Sequence, residues 1–244
     1  MNNFIRQSLT GLWRDVLRVN KSLRFEEIVG HNDIKEIFAK AILSKRPVHL
    51  LLVGPPGSAK TMFLTEMMRS FKESYFVVGS NTTKAGLVNQ LFDRRPHFLL
   101  IDELEKMIST DQTSLLHLME TGIISETKIN KTREVELTSW VFATANSSEK
   151  IIEPLLSRFV VLYVPEYSFE EFTDIAISKL AKEKVNRDIA TIIAEKVWTE
   201  LNSRDFRDVI KVARLVSSQE DIKPIISIMK QYSKRDTNAI FDLV

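Results

Sequence analysis

The stretch Gly54-Pro-Pro-Gly-Ser-Ala-Lys-Thr61 decides how this chain folds. Before it lies His49–Val53, an apolar run too short for a helix and stopped by Gly54 and two prolines. That run reads as a buried strand. After it, Thr61–Phe71 returns to helical spacing of its apolar residues. A glycine-containing turn between strand and helix aims successive backbone N–H groups inward. The helix N-terminus adds a favourable dipole, so the segment suits phosphate. On this reading Gly54, Pro55, Pro56, Gly57, Ser58 and Ala59 wrap the phosphates. Lys60 reaches the β- and γ-phosphates, and the Thr61 hydroxyl binds Mg²⁺. The strict pattern has glycine before the lysine, where this chain has Ala59. The position opens a helix, so a small residue with negative φ is expected to fit.

Outward from the loop, short apolar runs alternate with helical spacing. Strands are expected at Tyr75–Val78, Phe98–Ile101, Trp140–Ala145 and Phe159–Val164. Helices are expected before His49 on the stripe Ile34, Ile37, Phe38, Ala41 and Ile42, then at Lys84–Phe92 and Ser114–Thr121. With His49–Val53 this makes five strands in a parallel sheet with helices on both faces, an α/β P-loop NTPase fold. Ile124–Ile129 and Thr132–Leu137 alternate polar and apolar residues around Asn130–Lys131, which reads as a β-hairpin over 123–137. After Pro165 the strands stop. Ser168 and Glu171 form a capping box opening a helix to about Glu183, and helices follow near 187–202, 205–218 and 222–233. The expected organisation is a helical extension at 1–22, a nucleotide-binding α/β domain at 23–165, a small all-helical lid at 166–235 and a tail at 236–244. The apolar face of residues 1–20 suits docking on the protein's own body, on a partner or on a membrane surface.

Two carboxylates close the strand Phe98-Leu-Leu-Ile-Asp102-Glu103. Ligands of open α/β sheets sit at that end of the strands. Asp102 is expected to hold Mg²⁺ through its water shell, and Glu103 to orient and polarise the attacking water. Asn146 ends the next core strand, where its amide can bond the γ-phosphate or the water. Arg158 stands just before the fifth strand, without an obvious route into its own site. Arg207 stands early in a lid helix, between Asp205 and Asp208. Each arginine suits a phosphate or a structural ion pair.

Composition narrows the alternatives. The chain has 244 residues, 44% hydrophobic and 27% charged, an ordinary balance for a packed core. Its net charge of +2 is too mild to argue for nucleic acid by itself. It has no cysteine, which excludes disulfides and thiolate chemistry and suits a reducing cytoplasm. No apolar run approaches the length of a membrane-spanning helix, so a cytoplasmic protein without a membrane partner is expected. His31, His49, His97 and His117 lack metal-ligand spacing.

The loop at 54–61, the acidic strand at 98–103, Asn146, Arg158 and Arg207 come in the order of the AAA+ family, which the chain resembles over nearly all of residues 24–217. The resemblance implies ATP and Mg²⁺ as cofactors, with Asn146 as sensor 1, Arg158 as the arginine finger and Arg207 as sensor 2. It places Val29 and Gly30 beside the adenine. It also implies a homo-oligomeric ring, usually a hexamer, in which Arg158 meets the neighbour's γ-phosphate. Within the family, Leu118-Met-Glu-Thr-Gly122, the hairpin and Arg158-Phe-Val-Val-Leu-Tyr-Val-Pro-Glu-Tyr167 are similar to the RuvB type and to archaeal RuvB-like ATPases. The hairpin is also similar to the MoxR and replicative-helicase branch. RuvB carries a winged helix after its lid, for which the residues following the last expected helix leave no room. The resemblance therefore implies ATP-driven remodelling or translocation of DNA or a DNA-associated protein, with a MoxR-like chaperone or an ATP-dependent switch as alternatives. The hairpin carries Lys128, Lys131 and Arg133 beside Glu126, Glu134 and Glu136, a mixture that leans towards a protein surface.

Overall fold

The computed structural model describes Phe25 and residues 27–128 and 131–232. The expected helix at 1–20, the tail at 236–244 and the tip of the hairpin lie outside the described residues. So do the side chains of Lys128 and Lys131.

The first compact unit runs to Pro55 and resumes at Ala59–Val164. Its described elements are α1 (Asn32–Leu43), β1 (His49–Val53), α2 (Lys60–Ser70), β2 (Ser74–Val78), α3 (Lys84–Arg94), β3 (Phe98–Asp102), α4 (Ser109–Thr121), β4 (Ile123–Lys128), β5 (Lys131–Glu136), β6 (Trp140–Ala145), α5 (Glu153–Leu156) and β7 (Phe159–Tyr163). Five strands form one parallel sheet in the order β2-β3-β6-β1-β7. Alternate residues of each strand feed two cores. Leu50, Leu52, Phe98, Leu100 and Phe142 pack against Phe38 of α1 and Phe63, Leu64 and Met67 of α2. Leu51, Leu99, Ile101 and Val141 pack against Leu87 and Leu91 of α3 and Leu115 and Leu118 of α4. Both faces of the sheet are thus covered, which is why β1 and β6 are buried along their whole length and largely apolar.

The helix α4 begins at Ser109, five residues before its apolar spacing becomes regular. Its first turns bury Asp111 and Gln112 instead of hydrophobic residues. The Asp111 carboxylate accepts the Lys84 N–H at 2.9 Å and so satisfies a free donor at the start of α3. His49 pins the sheet to α4. It is buried, its Nδ1 accepts the Val141 N–H at 3.0 Å, and its ring meets the Met119 backbone. Burial drives its pKa down to about 4, against the opposing effect of the Met119 hydrogen bond.

β4 and β5 pair only with each other, antiparallel, from Ile123 opposite Glu136 to Lys128 opposite Lys131. The base of this hairpin is tied down by Ile124, Val135 and Leu137, which join the core on the α3–α4 face. Arg133 is engaged within the fold. It pairs with Glu126, donates to Asn89 Oδ1 at 2.7 Å and lies 4.6 Å over the Phe92 ring.

The second compact unit comprises Pro56–Ser58 and the chain from Pro165 onward. Its described helices are α6 (Phe169–Lys182), α7 (Arg187–Thr199), α8 (Phe206–Leu215) and α9 (Ile222–Gln231). Ser168 and Glu171 make the expected capping box on α6. Phe172, Ile193, Val197, Val209 and Ile226 are buried here. Arg204 covers the Trp198 ring at 3.6 Å. Among the described residues no helix is long and apolar enough to cross a membrane.

Candidate active site

The strand order sets the site. β3, β6 and β1 are neighbours, with Ile101 opposite Ala143 and Val53 opposite Ala145. The phosphate loop, the acidic pair and Asn146 therefore all leave the same edge of the sheet, the one formed by the strands' C-terminal ends. Gly54 N–H donates to Ala145 O at 3.2 Å, which fastens the start of the loop to the end of β6.

The loop turns through left-handed backbone at Gly57 (φ 85) and again at Ala59 (φ 65, ψ 6), the residue preceding α2. The expectation of negative φ at Ala59 is wrong. The chain reaches the helix through a left-handed residue, where glycine is free of strain and alanine costs about 1 kcal/mol. Ser58 and Lys60 are buried at 2% and 7% exposure. The Lys60 ammonium donates to the Gly54 and Pro55 carbonyls at 2.7 and 2.6 Å. The loop thus holds a buried cation against its own carbonyls, at the start of α2.

Beside it, the Thr61 hydroxyl lies 3.0 and 3.1 Å from the two oxygens of Asp102. One hydroxyl and one carboxylate are hard oxygen donors of the kind Mg²⁺ takes, with its other positions filled by water and phosphate. Thr144, on β6, completes the acidic turn. It is 1% exposed, its hydroxyl donates to Asp102 Oδ1, and its Oγ1 accepts the Glu103 N–H at 3.2 Å. Glu103 itself is left-handed (φ 55), which turns the chain sharply after β3. Gly79 makes room for that turn, since a Cβ there would lie 2.2 Å from the Glu103 carbonyl oxygen. Asn146 is exposed at the end of β6, and its Nδ2 donates to Glu105 Oε1 at 2.9 Å. Val29 and Gly30 are half-buried, next to Phe25 and Ile28 in the α1–α2 core. The Phe25 ring packs at a tilt, 5.1 Å from that of Phe63 of α2, which holds this lead-in segment against the helix that follows the loop.

Two arginines stand differently. Arg158 pairs with Glu120 at the end of α4, with side chains 44% and 45% exposed. In the second unit, Arg207 pairs with Asp205 at 2.8 Å and is 70% exposed. Three polar residues escaped the sequence reading: Thr144, Glu105 and Gln112. Gln112 is fully buried. Its Nε2 donates to the Met107 and Lys150 carbonyls, and its Oε1 accepts the Ile152 N–H, all at 2.9 Å. It thereby ties α4 to the segment between Asn146 and α5.

Residues 50–166 match the family described as ATPase family associated with various cellular activities (AAA). The matched segment runs from β1 to just past β7 and takes in the phosphate loop, the acidic pair, Asn146 and Arg158. The chain is 30% identical over 199 residues to the Holliday junction branch migration complex subunit RuvB of Fusobacterium nucleatum, covering 74% of the chain and 60% of that protein. It is 27% identical over 245 residues to the DNA replication licensing factor Mcm2 of Drosophila melanogaster, covering 81% of the chain but 27% of that protein. Among solved structures, a RuvB from Thermotoga maritima superposes with a TM-score of 0.61 at 20% identity, over 78% of this chain and 63% of that one. That likeness bears on the fold alone.

Proposed function

We propose that the chain binds ATP with Mg²⁺ in the loop at 54–61 and hydrolyses it as a ring oligomer, to remodel or translocate DNA or a DNA-associated protein. The observation that carries this reading is the convergence at one sheet edge of Lys60, the Thr61–Asp102 pair, Glu103 and Asn146. RuvB and Mcm2, as named, are a branch migration subunit and a replication licensing factor, and their similarity supports DNA as the setting.

In the proposed mechanism the loop N–H groups and Lys60 hold the β- and γ-phosphates, exchanging the ammonium's carbonyl partners for phosphate oxygens. Thr61 and Asp102 hold Mg²⁺, which when bound neutralises charge on the phosphate oxygens. Glu103 receives the proton of the attacking water. Asn146 carries two amide hydrogens; Glu105 uses one, and the other orients water or the γ-phosphate. Val29 and Gly30 flank the adenine. Arg158 acts on the neighbouring subunit's nucleotide, in agreement with its exposed position. Arg207 acts as the lid's phosphate contact, releasing Asp205.

The test is steady-state ATP turnover of the chain alone and with single-stranded, duplex and four-way-junction DNA, beside Glu103→Gln. The expected result is stimulation by one DNA form and a loss of about 10²-fold or more in Glu103→Gln with ATP binding retained. Turnover unchanged in Glu103→Gln refutes the assignment of the base. Turnover indifferent to all three DNA forms moves the substrate to a protein.

A further inference from the structure

Glu105 is an acid that the proposed chemistry leaves idle, yet it is buried beside the site. It lies in the single turn of 3₁₀ helix, Leu104–Lys106, that follows the acidic pair, and is 7% exposed. Both hydrogen bonds it accepts come from Asn146. Its Oε1 takes the backbone N–H at 3.1 Å and the side-chain Nδ2 at 2.9 Å. Its Oε2 is buried with no hydrogen-bond partner among the described residues.

A half-satisfied carboxylate is expensive to bury, so packing alone does not account for it. A bond to the Asn146 backbone would suffice to close the turn onto β6. The additional bond to the side-chain amide does something else. A carboxylate is an acceptor only, so it forces the NH₂ end of the Asn146 amide towards itself and fixes which way the amide faces. An amide free to rotate would present oxygen or nitrogen to the reacting phosphate with similar ease. Glu105 also follows Glu103 by two residues, so the residue that activates water and the residue that holds the Asn146 amide share one turn.

We propose that Glu105 is a positioning residue for Asn146, holding its amide in the orientation that hydrolysis needs. The proposal rests on the ATPase reading above. Its consequence is specific: Glu105 contributes to turnover only through Asn146, and hardly to nucleotide affinity.

The test compares Glu105→Gln, Glu105→Leu, Asn146→Ala and the double variant Glu105→Leu/Asn146→Ala. Readouts are kcat, affinity for a non-hydrolysable ATP analogue, thermal midpoint and the Asn146 side-chain amide signals in ¹H–¹⁵N spectra. Leucine keeps the volume but cannot accept a hydrogen bond; glutamine keeps the acceptor without the charge. Glu105→Leu is expected to lower kcat by about 10-fold to 10²-fold, with analogue affinity within about 3-fold and the Asn146 amide signals shifted. Glu105→Gln is expected to restore kcat to within about 3-fold, and the double variant to be no slower than Asn146→Ala. If Glu105→Leu does not fold, Glu105→Asp, one methylene too short to reach, carries the same comparison. Full turnover in Glu105→Leu, or a double variant slower than Asn146→Ala, overturns the positioning role while the ATPase reading stands. Absence of turnover in the unsubstituted chain overturns the ATPase reading itself, and the amide signals of Glu105→Leu then still report whether Asn146 was held.

Discussion

Replacing Thr144 with valine tests whether the acidic turn is organised from β6. The two side chains have nearly the same shape, so no cavity opens. Two hydrogen bonds are lost. The bond to the charged Asp102 oxygen contributes about 1.5–3 kcal/mol, and a partly buried Glu103 N–H left unpaired costs about 1 kcal/mol or more. Asp102 keeps its Thr61 partner, so the terms do not add in full, and a net loss of about 2–4 kcal/mol is expected. Thr144→Ser keeps the hydroxyl and loses one methyl at a site 1% exposed, a loss of about 1 kcal/mol. Urea unfolding with equal slopes in both variants measures the difference. The same ranking should appear in kcat, since valine frees both Asp102 and Glu103 while serine frees neither. A serine variant less stable than the valine variant would refute the reasoning, because packing and not hydrogen bonding would then dominate at this position.

His49 should make stability fall in acid. Its folded pKa of about 4 lies below the ordinary value of 6.5, so the contribution is complete above pH 6.5 and is lost as pH falls towards 4. The stability gap between the unsubstituted chain and His49→Gln should shrink by roughly 3 kcal/mol across that window, and a pH-independent gap would show that the imidazole is not held neutral. Arg158→Ala should retain nucleotide binding and lose about 10³-fold in kcat, the scale of an arginine finger. Mixing it with Glu103→Gln should recover part of the turnover, because some interfaces then combine an intact base with an intact finger; mixed oligomers without recovery would place Arg158 outside the neighbour's site.

The sheet was legible because each strand is a short apolar run bounded by glycine, proline or charge, and the hairpin because its segments alternate. The capping box at Ser168 and Glu171 was legible for the same reason, since all its information lies within four residues. What was not legible is long-range or conformational. Thr144 meets Asp102 across 42 positions, Asn146 meets Glu105 across 41, and Gln112 meets Ile152 across 40. Each pairing exists only because β6 lies between β3 and β1, and apolar runs do not announce their order in a sheet. The start of α4 was hidden because buried Asp111 and Gln112 interrupt the apolar spacing that marks a helix face. Ala59 was misread because local propensity puts a residue opening a helix at negative φ, whereas a loop that wraps phosphate needs a left-handed step there.

The C-terminal turn of α4 draws these parts into one mechanical unit. Glu120, in its last turn, holds Arg158. One residue beyond the helix, Gly122 takes a left-handed conformation (φ 70) and its carbonyl accepts the Leu137 N–H at 2.7 Å, closing the base of the hairpin. At its other end the same helix carries Gln112, whose three hydrogen bonds grip the turn after Glu103 and the segment after Asn146. One packed helix therefore touches the acidic turn, the segment after Asn146, Arg158 and the base of the hairpin. The hairpin cannot swing freely at its base, because Ile124, Val135 and Leu137 are buried and Arg133 is bound to Asn89 and Glu126. Because Arg133 is already committed to these contacts, the hairpin's described base has less positive charge to offer a phosphate backbone than its sequence suggests.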